Sequence, residues 1–249
     1  MTKTYSVFFN TSLDNFYGKK HVQHLCLNRI SMKVFIKFTA TLLLVMAGVS
    51  AWAYFYWYKP KFTEPPAKKA FAITEKGVAK NVLLKLKQHA TGLLAYTRAH
   101  DYNDQFCFMI DMSIHSGKQR LFIYSLKNDS IESAGLVTHG AGSVTGSDAL
   151  FFSNTLGGNC TSLGKYKIGN PYQGKFGLAY KLHGLDTSNN KAFERFVVLH
   201  AHACVPVSEV FPLTICPSLG CPTVAPAFLK KLSGYLDKSK KPILMKIYQ

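Results

Sequence analysis

The stretch "CPSLGCPTV", Cys216 to Val224, sets a thiol, Cys221, inside a tight Gly/Pro turn, where a cysteine adds little to a core. Gly220 can turn the backbone without a Cβ clash and Pro222 fixes the exit, so the Gly220 and Cys221 amides can converge on a developing oxyanion. An apolar run that reads as a helix, Ala225 to Leu236, follows at once, and a helix N-terminus favours a thiolate. Upstream, "RFVVLHAHAC", Arg195 to Cys204, reads as a strand with Phe196, Val198, His200, His202 and Cys204 on one face. The chain then loops through Val205 to Pro217 and can return Cys221 beside His200. Lowering a cysteine pKa by about two units takes about 2.7 kcal/mol, within reach of one imidazolium and one helix dipole. By themselves these residues leave three readings open: a nucleophile, a structural or disulfide cysteine, and a metal ligand.

Outward from this turn, short β-type runs bounded by Gly, Asn, Asp and Ser fill the C-terminal half. They are "FCFMIDM" (106–112), "RLFIYSL" (120–126), "SAGLVTH" (133–139), "GKYKIG" (164–169), "LAYKLHG" (178–184) and "PILMKIY" (242–248). Ahead of them, Glu75 to His100 carries Val78, Val82, Leu83, Leu86, Ala90, Leu93 and Leu94 at helical spacing, the pattern of an amphipathic helix. The expected fold is therefore mainly β with few helices, over residues 76–249. Residues 59–75 read as a Pro/Lys-rich linker, extended and semi-rigid.

"FTATLLLVMAGVSAWAYFYWY", Phe38 to Tyr58, is an uncharged apolar run long enough to cross about 30 Å of hydrocarbon. It reads as a membrane anchor. Met32 to Lys37 has the basic character of a signal n-region and Ala51-Trp52-Ala53 fits a cleavage site, so a cleaved signal is the alternative. The aromatic cluster from Tyr54 to Tyr58 favours the uncleaved form, since Trp and Tyr settle at membrane interfaces. Residues 1–37 are expected to form a cytoplasmic tail. Lysines and arginines flank both ends of the span, so charge gives only a weak orientation.

Thirty Lys and Arg against thirteen Asp and Glu give a net charge of +17, which suits an anionic partner. Nucleic acid is not the expected one, because no zinc-finger spacing, RNP-like aromatic strand or long Lys/Arg block occurs.

The Ser218-Leu219-Gly220-Cys221-Pro222 turn, with Val198-Leu199-His200-Ala201 upstream, resembles the murein L,D-transpeptidase catalytic-domain family, a branch of the YkuD-type enzymes. The likeness runs in order through "FMIDMS" (108–113), "RLFIYSL", "THGAGS" (138–143), "FFSN" (151–154), "TSLGKYKIG" (161–169), "YQGKFGLAYKLHGLD" (172–186) and "NNKAFERFVVLHA" (189–201). It implies a β-sandwich in which Cys221 is the nucleophile, His200 the general base and acid, and the Ala201 carbonyl the group that orients the imidazole. Ser218 and Gly220 would shape the pocket, and His139 with Gly140 would lie by the substrate cleft. The implied reaction releases D-Ala from a peptidoglycan tetrapeptide stem through a thioester, then forms a 3-3 cross-link, or hydrolyses as an L,D-carboxypeptidase. No cofactor is implied. The implied location is the periplasm, anchored to the inner membrane or secreted if the signal is cleaved.

Two departures from the family pattern stand out. Cys216 and Pro217 replace its Gly-Arg, removing a cation that could hold a substrate carboxylate, and "HAHAC" adds His202 and Cys204. His202 reads as a satisfied strand histidine or a group behind the catalytic pair. A zinc site built from His200, His202, Cys204, Cys216 and Cys221 is a rival, though it lacks the paired-Cys spacing of structural zinc modules. In an oxidising compartment Cys107, Cys160, Cys204 and Cys216 could form two disulfides, with Cys204–Cys216 the first pairing expected. An inert wall-binding module is the remaining alternative.

Overall fold

The computed structural model describes residues 14–62, 71, 73, 75–146 and 149–249. Residues 1–13 of the expected tail and most of the expected linker, 63–70, 72 and 74, lie outside the described residues. The chain divides into two units, Met1–Trp57 and Tyr58–Gln249.

In the first unit, helix α1 (Asp14–Trp52) begins inside the stretch expected as the tail and runs on through the apolar segment. Within Met32–Lys61 the apolar stretch reaches a mean hydropathy of 1.9 and none of it is buried, so by length and composition it can cross a membrane. Thr39 and Thr41 fit that setting, because their hydroxyls donate to the helix's own Ile36 and Lys37 carbonyls at 3.0 and 2.9 Å.

The second unit is built on eight strands: β1 (Phe106–Asp111), β2 (Leu121–Ser125), β3 (Ser130–Gly135), β4 (Gly164–Gly174), β5 (Gly177–Gly184), β6 (Val198–Ala201), β7 (Thr223–Val224) and β8 (Leu244–Tyr248). They form one sheet in the order β3-β2-β1-β8-β4-β5-β6-β7, parallel at β1–β8 and β6–β7 and antiparallel elsewhere. Just past β3 the chain bridges β7 through Val137 and Val224, and Gly140 bridges Ser218. The two edges of the sheet therefore meet at a seam, which removes most of the open edge a sheet must otherwise protect.

Inside this curl, alternate residues Phe108, Ile110, Leu121, Ile123, Tyr166, Leu182, Leu199, Met245 and Ile247 form the main core with Phe228 and Leu232 of α3 (Pro226–Leu236). Pro226 starts α3 with a pre-set φ and loses no needed hydrogen bond there. Gly135 lets β3 approach α3, since a Cβ on it would stand 2.5 Å from the Phe228 ring. Helix α2 (Lys80–Ala99) lays Leu86, Ala90 and Leu93, spaced four and three apart, on Cys107, Met109, Phe122 and Leu244 of the sheet's other face. Each fully buried leucine contributes about 1.5–3 kcal/mol, and Leu86→Ala is expected to cost about 2–5 kcal/mol.

Two expected strands are shorter in the structure. The strand expected over 195–204 reduces to β6, because Phe196 takes a left-handed φ of 55° before it and the Val205 amide turns back onto the His202 carbonyl after it. The run 133–139 leaves β3 at Gly135, and its remainder crosses to the seam.

Candidate active site

The seam assembles the residues singled out in the sequence. Ser218 donates its amide to the His139 carbonyl at 2.8 Å, and its hydroxyl caps the turn on the Cys221 carbonyl at 2.7 Å. Thr138 ties the other side, its hydroxyl donating to the Cys221 carbonyl at 3.1 Å and accepting the Thr223 amide at 3.1 Å. Gly220 has φ 109°, and a Cβ there would stand 2.9 Å from the Cys160 carbonyl oxygen and 3.3 Å from Arg195 Nη2. Only glycine fits this position without strain.

Of the two amides expected to serve an oxyanion, Gly220 N–H is engaged by Ser218 Oγ at 3.2 Å. The Cys221 amide meets no acceptor among the described residues, so the turn offers one donor rather than two.

His200 is buried on β6, and parallel pairing sets it opposite Thr223. Its Nδ1 lies 3.1 Å from the Ala201 carbonyl, and a carbonyl can only accept, so Nδ1 carries the hydrogen. Nε2 is then the basic nitrogen, and it accepts the Thr223 hydroxyl at 3.0 Å. Phe176, at the β4–β5 turn, stacks on the imidazole with centroids 5.0 Å apart.

Cys221 lies two residues before Thr223 and is partly exposed. Among the described residues no hydrogen bond joins it directly to His200; its Sγ instead donates weakly to the Phe196 carbonyl at 3.8 Å. Burial pushes the thiol up, opposed by a backbone hydrogen bond from Val198 and by the Arg195 cation. His200 is pushed down by burial, with the Ala201 carbonyl opposing and His202 adding to the shift. Both shifts run against the imidazolium-stabilised thiolate expected from the sequence, because desolvation disfavours the thiolate and the imidazolium alike.

Three contributors went unrecognised in the sequence. Thr223, the first residue of β7, gives its hydroxyl hydrogen to Nε2 of His200. Arg195 braces the Cys160 carbonyl, the Ser153 carbonyl and the Ser162 hydroxyl beside Gly220. Phe196, 83% exposed despite its size, holds a left-handed conformation that a bulky residue rarely adopts, and its carbonyl meets the thiol. The one available signal was the lone Arg five residues ahead of His200.

His139 is buried at the seam, but its ring turns toward Arg120, which donates from Nη2 to its Nδ1 at 2.9 Å. Gly140 donates its amide to Thr161 Oγ1 at 2.9 Å. His202 is exposed, and its Nδ1 accepts the Cys204 amide at 3.1 Å. Cys204 and Cys216 form a disulfide, which closes the loop leading to Cys221 and takes two ligands from the rival zinc set. Cys107 and Cys160 are free and buried, so the expected second disulfide does not form.

Residues 78–244 match the profile of the L,D-transpeptidase catalytic domain. Among solved structures, the Ldtfm-avibactam carbamoyl enzyme shares 12% identity at a TM-score of 0.37, over 59% of this chain and 50% of that one. The helical cell shape determining protein Pgp2 from Campylobacter jejuni shares 12% at 0.37, over 66% and 55%. An L,D-transpeptidase from Mycobacterium tuberculosis shares 12% at 0.31, over 58% of each. This chain spans a little over half the length of these structures. No curated protein matches it.

Proposed function

This chain belongs to the L,D-transpeptidase catalytic-domain family, and from that membership we propose that it is a peptidoglycan L,D-transpeptidase working through a thioester on Cys221. The observation that carries the reading is the fixed His200 tautomer: the Ala201 carbonyl holds the Nδ1 hydrogen and leaves Nε2 basic, bonded to the hydroxyl of Thr223, two residues after Cys221.

Cys221 Sγ attacks the carbonyl of the third stem residue. As the S–C bond forms, the thiol proton passes to Thr223 Oγ while Thr223 gives its own proton to Nε2. Going through a hydroxyl suits a neutral pair, since no isolated thiolate has to persist beforehand. The Cys221 amide donates to the tetrahedral oxyanion. The C–N bond to the terminal D-Ala then breaks and the imidazolium protonates the departing amine, leaving the thioester. An amine from a neighbouring stem attacks that thioester, its proton goes to Nε2, the C–S bond breaks and the sulfur recovers a proton, giving a 3-3 cross-link. Water in place of the amine gives carboxypeptidase activity.

The apolar helix supports a place at the membrane with the catalytic unit in the periplasm, or export after cleavage. The +17 charge would hold the enzyme near an anionic wall.

The test is incubation of the full chain with a disaccharide-tetrapeptide, read by mass spectrometry. The expected result is loss of one alanine and an acyl adduct on the Cys221 peptide. Dimer formation separates transfer from hydrolysis. Thr223→Val should lower the acylation rate about 10²-fold by leaving Nε2 without its proton donor. Unchanged substrate would leave the inert wall-binding module as the reading.

A further inference from the structure

A second polar cluster hangs on the Val137–Gly140 segment that also braces the Cys221 turn. Arg120 is 1% exposed, yet among the described residues no carboxylate hydrogen-bonds to it. Its Nε donates to the Val137 carbonyl at 3.0 Å, Nη1 to the Ile114 carbonyl at 3.1 Å and Nη2 to His139 Nδ1 at 2.9 Å. A guanidinium carries five N–H groups, so donors remain after these three bonds. Asp111 acts on it only through space.

The neighbouring side chains are donors too. Because Arg120 can only donate, His139 Nδ1 is an acceptor and its hydrogen sits on Nε2. His115 Nδ1 accepts the Gly117 amide at 3.0 Å, which likewise puts its hydrogen on Nε2. Ser116 Oγ accepts the Ile215 amide at 3.4 Å and keeps its own hydrogen to give. Among the described residues none of these spare hydrogens has an acceptor. Arg120, His139, His115 and Ser116 line one cavity of about 310 Å³, and among the described residues no Asp or Glu lines it. Pro217, one of the two positions where the nucleophile motif departs from the family pattern, lines it as well.

Asp111, itself buried, offsets the Arg120 charge only through space and takes none of its hydrogens, and a wall of donors around a guanidinium is complementary to a planar oxyanion that can take two N–H bonds at once. We propose that this cavity is a carboxylate-binding subsite, and that its ligand is a carboxylate of the stem peptide whose carbonyl Cys221 attacks. The second half of that statement rests on the reaction proposed above. Arg120, just ahead of β2, would then supply the substrate-holding cation that Pro217 removes. Burial, Arg120 and His115 hold His139 down to about 4, keeping it a neutral donor, and a bound carboxylate should raise it.

The test has two arms on the full chain in detergent micelles. In the first, carbon-13-labelled histidine reports titration with sodium acetate and, separately, with acetamide. Acetate should shift and saturate the His139 and His115 ring signals, acetamide should not, and Arg120→Lys should weaken acetate at least tenfold by losing the fork. No response to acetate, or an equal response to acetamide, overturns the site, and this comparison needs no variant to fold.

In the second arm, the disaccharide-tetrapeptide is compared with the same peptide whose internal carboxylates are amidated. The acid should be preferred at least tenfold in kcat/KM, and Arg120→Lys or His115→Gln should bring that ratio toward one. Turnover without preference overturns the stem as ligand. Acetate binding with no turnover of either peptide overturns the proposed reaction and the stem as ligand, while carboxylate binding stands.

Discussion

Cys107, on a strand beneath α2, and Cys221, in the turn at the seam, show what makes a thiol useful. Cys107, on β1 beneath α2, is fully buried among apolar neighbours, and desolvation alone drives its thiol far above the ordinary range. Cys221, at the seam, is also pushed up by burial, but there the Val198 backbone and the Arg195 cation pull the other way. Burial alone does not distinguish them. What differs is whether groups are already in place to receive a negative sulfur, and only the seam has them.

The sharpest way to break this contrast is to remove each sulfur in turn. Cys221→Ala should abolish acyl-enzyme formation, a fall of at least about 10⁴-fold, with an unchanged melting temperature. Cys107→Ala should leave acylation intact and cost about 1–2 kcal/mol of stability, as packing deletions do. Mass spectrometry of the adduct and thermal unfolding read the two together. Acylation surviving Cys221→Ala would end the assignment.

The contrast extends to how each region responds to acid. The α2 face is held mainly by leucine and aromatic packing, with half-buried His89 on Tyr248, whereas the seam buries His139 with its pKa lowered from 6.5 to about 4. Below about pH 6.5 the unfolded chain takes up a proton that the folded chain refuses, so the unfolded state gains. The loss accrues as pH falls from 6.5 to about 4 and levels off once folded His139 also protonates, amounting to about 3 kcal/mol. Denaturant titrations across that window should show the slope, and His139→Gln should flatten it. An unchanged slope in the variant would move the acid sensitivity elsewhere, for instance to His200, which is also lowered.

The difference between the regions also explains what the sequence revealed. Helix α2 and most strands were legible because their apolar residues recur with the period of the element, and a period survives without tertiary knowledge. The Cys221 turn and His200 were legible because Gly220 and Pro222 punctuate one and alternation frames the other. The seam was not. The Val137–Val224 and Gly140–Ser218 bridges pair residues about eighty apart, and no local pattern announces such a meeting. Thr223 and Arg195 owe their places to that closure, and Phe196 escapes an alternation count because its left-handed backbone breaks the strand in which the count placed it. The upward push on Cys221 and the downward push on His200 follow for the same reason, since desolvation depends on what folds over the site.

The smallest expected effect probes the Arg195 term directly. Arg195 lowers the Cys221 pKa by its charge, so removing it should raise that pKa further. Alkylation needs the thiolate, so at a fixed pH below the midpoint the rate falls tenfold per unit of upward shift. Arg195→Gln should slow alkylation at pH 7 about three- to tenfold and move the midpoint of its pH profile upward, which is about 1 kcal/mol. Arg195 also braces the Cys160 and Ser153 carbonyls, and losing those bonds alone would lower the melting temperature without moving the midpoint. Arg195→Lys separates the two roles: the charge remains and the planar fork goes, so the midpoint should stay near wild type while stability falls. If both variants shift the midpoint equally, the brace rather than the charge sets the thiol, and the seam would differ from the α2 face by its geometry alone.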